Sequence, residues 1–224
     1  MKRLPLVCTA LLLSAFSAAE AANVSGKISF VSKRGQNPTV NETLVWLEPA
    51  AKTAARKAAT FQMITRGKAL VPHVLAIPVG STIEFPNDDP ISHNLFSLSS
   101  PNAFDLGLYR KGAGKSHKFD TPGLINVYCN VHPNMSAVIQ VMGTPYYAFA
   151  DATGTYAIND VPAGKYRLVA WNEQGGQSDT AIEVTSAGQV TGAVALTLDS
   201  RNFRQTQHLN KEGKAYQPTT VRDY

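Results

Sequence analysis

The stretch LINVYCNVHPNM, residues 124–135, joins a strand pattern to a short loop whose side chains suit a soft metal ion. Apolar residues alternate along its first half, so Cys129 shares one face of the predicted strand with the apolar positions before it. The loop that follows can turn His132 and Met135 back towards the Cys129 thiol. The spacing therefore predicts part of a coordination sphere, made of a thiolate, an imidazole and a thioether.

A further ligand has to come from elsewhere in the chain. His93 is the strongest candidate, because it follows the Asn-, Asp- and Pro-rich turn in FPNDDPISHNLFS and begins a strand-like run. Asp88 and Asp89 in that turn are interpreted as turn formers that bond to the backbone. Two imidazoles, a thiolate and a thioether are typical of a blue-copper electron-transfer site with a weak axial Met. Zinc could use the same Cys and His ligands, although a thioether is an unusual zinc ligand.

The first residues have the order of a secretory signal peptide. Lys2 and Arg3 precede an apolar run over residues 4–16, and small residues follow up to Ala21. We therefore expect residues 1–21 to be cleaved and the mature protein to be periplasmic or secreted. No later run is long and apolar enough to predict a membrane span.

Cleavage would also remove Cys8 and leave Cys129 as the only cysteine of the mature chain. A lone thiol in an oxidising compartment is vulnerable unless it is buried, paired between chains or bound to a ligand. Metal binding would hold Cys129 as a thiolate and protect it from oxidation. The cysteine count is thus consistent with a metal site.

Composition and charge exclude several functional classes. With 44% hydrophobic and 17% charged residues in 224, the chain is neither a disordered protein nor a membrane bundle. Cleavage removes two basic residues and one acidic residue, so 19 basic and 15 acidic residues remain and the net charge of the mature chain is +4. Basic clusters are not interleaved with aromatic residues, so nucleic-acid binding receives no support. The mild positive charge favours an acidic partner.

Short β-rich runs separated by Gly, Pro, Asn and Asp predict an all-β sandwich protein. An Ala- and Lys-rich stretch over 50–59 fits a helical turn or a linker, and the tail is expected to be mobile or draped on the surface. Along the chain these features give a signal peptide (1–21), two strand-like runs with a linker (22–59), a strand-rich segment with the candidate ligands (60–142), a second strand-rich segment (143–199) and a polar tail (200–224).

Residues 60–142 resemble the cupredoxins, Greek-key β-sandwich copper proteins of the plastocyanin and amicyanin type. The likeness is carried by PHVLAIPVGSTIEFPNDD, HNLFS, TPGLINVYC and the CNVHPNM loop, whose C-x-x-H-x-x-M spacing is similar to that of amicyanin-like members. It implies that Asn94 ties the two ligand segments together near the sulfur. It also implies that a redox protein partner docks near His132, the expected electron exit. The ligands of the single type 1 copper ion would be His93, Cys129, His132 and Met135.

The stretch DATGTYAINDVPAGKYRLVAWNE, residues 151–173, resembles the transthyretin-like, carboxypeptidase regulatory-type sandwich, and residues 24–49 look like its first two strands. The resemblance suggests that the cupredoxin-like domain, residues 60–142, is inserted into a discontinuous accessory sandwich whose first strands and linker are residues 22–59 and whose remainder is residues 143–199. If residues 24–48 paired only with strands of that inserted segment, this hypothesis would be wrong.

Three functions are compatible with these features. The leading interpretation is an exported blue copper protein that carries single electrons between redox partners. The alternatives are a periplasmic protein for copper delivery or sequestration, and an envelope binding module with a copper site. An enzyme is not expected, because Tyr128 and Asn130 flank Cys129 where multicopper oxidases have histidines. A binuclear copper centre would need a second cysteine, which the mature chain lacks.

Overall fold

The computed structural model describes residues 21–51 and 53–216. Apart from one short 3-10 turn at Val40–Glu42, its regular elements are strands, so the predicted all-β fold class is confirmed. The predicted signal peptide lies outside the described residues, except for Ala21. The described strands are β1 (Ala22–Val31), β2 (Leu44–Pro49), β3 (Thr60–Gln62), β4 (Ile64–Arg66), β5 (Ala69–Val71), β6 (Val74–Pro78), β7 (Ser81–Asn87), β8 (Leu95–Ser97), β9 (Phe104–Asp105), β10 (Gly112–Phe119), β11 (Gly123–Cys129), β12 (Ser136–Met142), β13 (Tyr147–Phe149), β14 (Thr155–Val161), β15 (Gly164–Asn172), β16 (Gly176–Val184), β17 (Val190–Gly192) and β18 (Ala195–Asp199).

One sandwich, which we call the flanking sandwich, combines the two ends of the chain. Strand β1 pairs antiparallel with β14 and parallel with β18 in a three-stranded sheet. Strand β2 joins a five-stranded sheet in the order β13-β2-β15-β16-β17. Residues 24–48 therefore pair with strands that lie beyond residue 146. The core between the two sheets includes the buried residues Val24, Val45, Tyr156, Leu168 and Leu198.

The intervening chain forms a second sandwich, which we call the central sandwich. One sheet has the order β10-β7-β4-β5, with β3 also paired to β7, and the other has the order β6-β12-β11-β8-β9. Burial alternates along β7 and β11, as expected for strands with one face on a core. Full burial of each large apolar side chain contributes roughly 1.5–3 kcal/mol. The core includes Ile77, Phe85, Phe119, Ile125 and Val127.

The two sandwiches contact each other through the outer face of β2. The side chains of Val45 and Leu47 face the core of the flanking sandwich, whereas Leu44 and Trp46 point the other way. This explains why four consecutive residues of β2 are buried instead of alternating. A small apolar cluster joins the sandwiches and comprises Leu44, Trp46, Ala76, Met142 and Val169.

Two remaining segments have no strand. Residues 50–51 and 53–59 contain no helix and lead into β3; within them, Arg56 donates to the carbonyls of Pro145 and Tyr147. After β18 the chain continues to residue 216 without regular structure and crosses the end of the central sandwich. Among the described residues, no helix has the length and apolar character needed to cross a membrane.

Candidate metal centre

Three side chains predicted as metal ligands meet at one end of the central sandwich. Cys129 ends β11, His132 lies in the loop between β11 and β12, and His93 lies between β7 and β8. The Cys129 Sγ is 3.6 Å from His93 Nδ1 and 3.7 Å from His132 Nδ1. The three donor atoms all lie within 4.8 Å of one another. Cys129 and His93 are fully buried, and His132 is half-buried.

The two sulfur–nitrogen distances fit a single transition-metal ion. Metal–nitrogen bonds of about 2.0–2.1 Å and a metal–sulfur bond of about 2.3 Å place the donor atoms roughly 3.6–3.8 Å apart when the angle between the bonds is tetrahedral to trigonal. The two sulfur–nitrogen distances of 3.6 and 3.7 Å agree with that value. The cluster can therefore hold one ion among two imidazoles and a thiolate.

Strand pairing brings the two ligand segments together. Cys129 is opposite Leu95 in the ladder between β11 and β8, so the residues just before β8 lie beside the end of β11. The Asn130 N–H then donates to the Asn94 carbonyl at 2.8 Å, which extends this link into the loop. On its other side, His93 exchanges two backbone hydrogen bonds with Tyr109. His93 is thus held on both sides by main-chain pairing.

Met135 lies close to the same site. Its carbonyl accepts from the Cys129 N–H at 3.1 Å, and its own N–H donates to the His132 carbonyl at 3.2 Å. These two bonds close the loop between Cys129 and Met135. Met135 is buried and belongs to the same apolar core as Cys129.

The Asn94 side chain is directed differently from the prediction. Its amide Nδ2 donates to Asp105 Oδ1 at 2.5 Å and lies 3.4 Å from the Leu95 carbonyl. The main-chain carbonyl of Asn94, and not its side chain, makes the link to the ligand loop. Any residue type offers that carbonyl, which is why residue identity alone did not predict the arrangement.

Asp89 is a contributor to the site that the sequence interpretation missed. Its carboxylate accepts from His93 Nε2 at 3.0 Å, from the Gly67 N–H at 2.6 Å and from the Lys68 N–H at 2.8 Å. Gly67 and Lys68 form the tight turn between β4 and β5, and both have positive φ, which suits a two-residue hairpin. The turn therefore anchors Asp89, and Asp89 orients the ring of His93. Its neighbour Asp88 is exposed and pairs with Arg66.

The electrostatics of the site keep the imidazoles neutral. Burial lowers the pKa of His93, although Asp89 partly opposes this effect. Burial and the nearby His93 lower the pKa of His132. For Asp89, burial raises the pKa, but the amides of Lys68 and Gly67 together with His93 bring it below its usual value. Neutral imidazoles beside an ionised carboxylate are in the protonation state that metal ligation requires.

The other histidines lie outside this cluster. His73 Nε2 is 2.6 Å from Glu173 Oε2, across the contact between the sandwiches, and its Nδ1 is 3.1 Å from the Ser136 carbonyl. His117 stacks on Phe104. His208 contacts the ligand loop from the tail, where its Nε2 lies near the His132 carbonyl.

A family model matches part of the chain. Residues 134–193 match polysaccharide lyase family 4, domain II. That range begins within the ligand loop and continues into the flanking sandwich. The match is to a different family from the transthyretin-like, carboxypeptidase regulatory-type module predicted for residues 143–199, so that finer assignment is not supported. No curated protein sequence matches the chain.

Solved structures with a similar fold include cupredoxins. A purple cupredoxin from Nitrosopumilus maritimus is 28% identical, with coverage of 38% of this chain and 100% of that chain at a TM-score of 0.34. An amicyanin mutant in the reduced state is 19% identical over 43% of this chain and 99% of its own, at a TM-score of 0.35. A pseudoazurin from Sinorhizobium meliloti is 19% identical over 39% of this chain and 76% of its own, at a TM-score of 0.34. Each overlap covers less than half of this chain.

Proposed function

We propose that this protein is a blue copper protein that carries single electrons between redox partners outside the cytoplasm. The observation that carries the proposal is the buried Cys129 Sγ with the Nδ1 atoms of His93 and His132 at 3.6 and 3.7 Å. A copper ion bound by two imidazoles and a thiolate supplies reversible one-electron chemistry. Met135, buried beside the same loop, is proposed as the weak fourth ligand.

The ligands are held firmly, which suits an electron carrier. Asp89 fixes the ring of His93, and the backbone pairing with Tyr109 fixes its main chain. Two backbone hydrogen bonds close the loop from Cys129 to Met135. A site whose ligands barely move needs little rearrangement when its charge changes, and this favours electron transfer over metal exchange.

The remaining features support a carrier and not an oxidase. Tyr128 and Asn130 flank Cys129, so no histidine next to the thiolate can serve a second metal. Within residues 21–51 and 53–216, His93, Cys129 and His132 form the one cluster of His, Cys and acidic side chains with metal-binding spacing. His132 is only half-buried, so we propose that electrons leave through its ring to a protein partner docked nearby. We propose that the predicted signal peptide exports the chain, so that this exchange takes place in the periplasm or outside the cell.

The test is to load the purified mature protein with Cu(II) and record its visible spectrum. We expect an intense thiolate-to-copper band that a reductant bleaches reversibly. Cys129→Ser should abolish the band, whereas His117→Asn, at a histidine outside the cluster, should leave it intact. A colourless protein, or a band that survives Cys129→Ser, would contradict the proposal.

A second measurement separates electron carriage from copper delivery. The loaded protein is mixed with excess chelator in the oxidised and in the reduced state, and copper transfer is followed over time. An electron carrier should retain the metal in both states. Rapid release of Cu(I) would instead support the alternative of copper delivery or sequestration.

A further inference from the structure

The C-terminal segment, residues 203–216, contacts the main chain of the ligand loop. Tyr216 Oη donates to the Cys129 carbonyl at 2.6 Å. His208 Nε2 lies 3.2 Å from the His132 carbonyl oxygen, and the His208 N–H donates to the Pro133 carbonyl at 3.3 Å. Two of the three clustered ligands therefore have their own carbonyl groups in contact with this segment.

The same segment also reaches the side of the site that carries His93. The Lys211 N–H donates to Asn130 Oδ1 at 3.0 Å, while Lys211 Nζ pairs with Asp105 Oδ2 at 2.8 Å. Asp105 in turn accepts from the Asn94 amide, next to His93. Although burial raises the pKa of Asp105, Lys211, Gly107 and Asn94 lower it to about 2, so its carboxylate is charged at neutral pH.

Aromatic packing adds a third kind of contact. The His208 ring stacks on Tyr128 with centroids 4.5 Å apart, and the Tyr216 ring meets His208 edge-on at 5.4 Å. Tyr128 lies on the face of β11 opposite Cys129, because neighbouring strand residues point to opposite sides. Burial raises the pKa of Tyr216 to about 12, so its phenol stays a hydrogen-bond donor over the physiological range.

We propose that residues 203–216 are a C-terminal clasp that positions the ligand loop, with Tyr216, His208 and Lys211 as its positioning residues. The clasp holds the main chain of Cys129 and His132 and connects it, through Asp105 and Asn94, to the His93 segment. It thereby restricts opening of the loop and slows metal exchange. The effect on metal exchange rests on the proposed function, whereas the restraint on the loop does not.

The first experiment measures this restraint in the metal-free, full-length protein by amide hydrogen exchange. The relevant amides are that of Asn130, which donates to the Asn94 carbonyl, and that of Met135, which donates to the His132 carbonyl inside the loop. The double variant Tyr216→Phe with Lys211→Ala loses one phenol hydrogen bond and one partly exposed ion pair. It should therefore exchange these amides about tenfold faster, which corresponds to about 1.4 kcal/mol. Lys211→Arg keeps the cation beside Asp105 and should behave like the wild type.

The matched control is Tyr156→Phe, which removes a phenol hydrogen bond to the Val194 carbonyl in the flanking sandwich. It should leave exchange at Asn130 and Met135 unchanged. If the Asn130 and Met135 amides of the double variant exchanged within twofold of the wild-type rate, the clasp proposal would be overturned, whether or not the protein binds copper.

The second experiment follows transfer of Cu(I) from the loaded variants to excess chelator. The double variant should release copper several-fold faster than the wild type, and the Tyr156→Phe protein should not. Faster loop exchange with unchanged copper release would overturn the link between the clasp and the metal. If the wild-type protein did not bind copper, the proposed function would be refuted. The hydrogen-exchange result alone would then decide on the clasp.

Discussion

Replacement of Asp89 by Asn should weaken copper binding without changing any direct ligand. The Asp89 carboxylate has three donors around it, the His93 Nε2–H and the amides of Gly67 and Lys68. An Asn side chain has a single acceptor oxygen, and its NH₂ group would face at least one of these N–H donors. The substitution therefore leaves at least one buried donor without an acceptor and weakens the restraint on the ring of His93.

The contacts of Asp89 set the expected size of the effect on stability and on copper affinity. Loss of a hydrogen bond to a charged, buried group costs about 1.5–3 kcal/mol of folding free energy. Loss of the partner that orients a ligating histidine typically weakens metal affinity about 10–100-fold, or about 1.4–2.7 kcal/mol. We therefore expect a measurable loss of stability in the metal-free protein and a fall in copper affinity of at least tenfold.

The assay is competition between the protein and a chelator of known affinity, for Cu(I) and for Cu(II), at one fixed pH. Asp88→Asn is the matched control, because the neighbouring carboxylate is 46% exposed and, within residues 21–51 and 53–216, bonds only to Arg66. A surface ion pair of this kind contributes about 0–1 kcal/mol. If Asp89→Asn and Asp88→Asn bound copper within twofold of each other, the role assigned to Asp89 would be refuted.

Three further predictions concern stability and are checked by thermal denaturation. The Glu173 contact, with a smaller contribution from Glu42, raises the pKa of His73 above 6.5, so this contact stabilises the fold most below pH 6.5 and weakens as pH rises through the raised value. Glu173→Gln should lower the free energy of unfolding by about 1–2 kcal/mol near pH 6 and by less above pH 8. A loss of stability that stayed constant over this pH range would contradict the reasoning. Gly114→Ala should prevent normal pairing of β10, because φ is +74° and a Cβ would lie 1.8 Å from the Phe85 carbonyl oxygen; unchanged stability would exclude the clash. Phe85→Ala should cost about 3–5 kcal/mol because the ring is fully buried, and a loss below 1 kcal/mol would mean that the core refills the space.

Local sequence patterns were sufficient to predict the residues at the centre of the site, Cys129, His132 and His93. Period-two alternation in β11 put Cys129 on the inner face, and the short loop limited how far His132 could lie from it. The turn before His93 likewise marked the end of β7. These features depend on neighbours in the sequence, and the structure brings the three donor atoms together.

Contacts between distant segments were beyond such reasoning. Asp89 was interpreted as a turn former because its partners, Gly67 and Lys68, belong to a hairpin whose position depends on the β4–β7 pairing. The tail has no periodicity, so its contacts through His208 and Tyr216 could not be deduced from a pattern. Similarly, β2 looked like an ordinary strand, and only the packing of the second sandwich explains burial on both of its faces.

The pairing of β1 has a consequence for biogenesis. This strand precedes all the other described strands in the chain, yet its partners β14 and β18 follow more than 120 residues later. Contacts so far apart in sequence form slowly, because a long loop must close before they gain any energy. The central sandwich holds its own core within residues 60–142 and has all its strands before β14 exists. Until β14 and β18 have been synthesised, β1 therefore has two open edges that another chain could pair with, and protection of this strand during that time would limit aggregation.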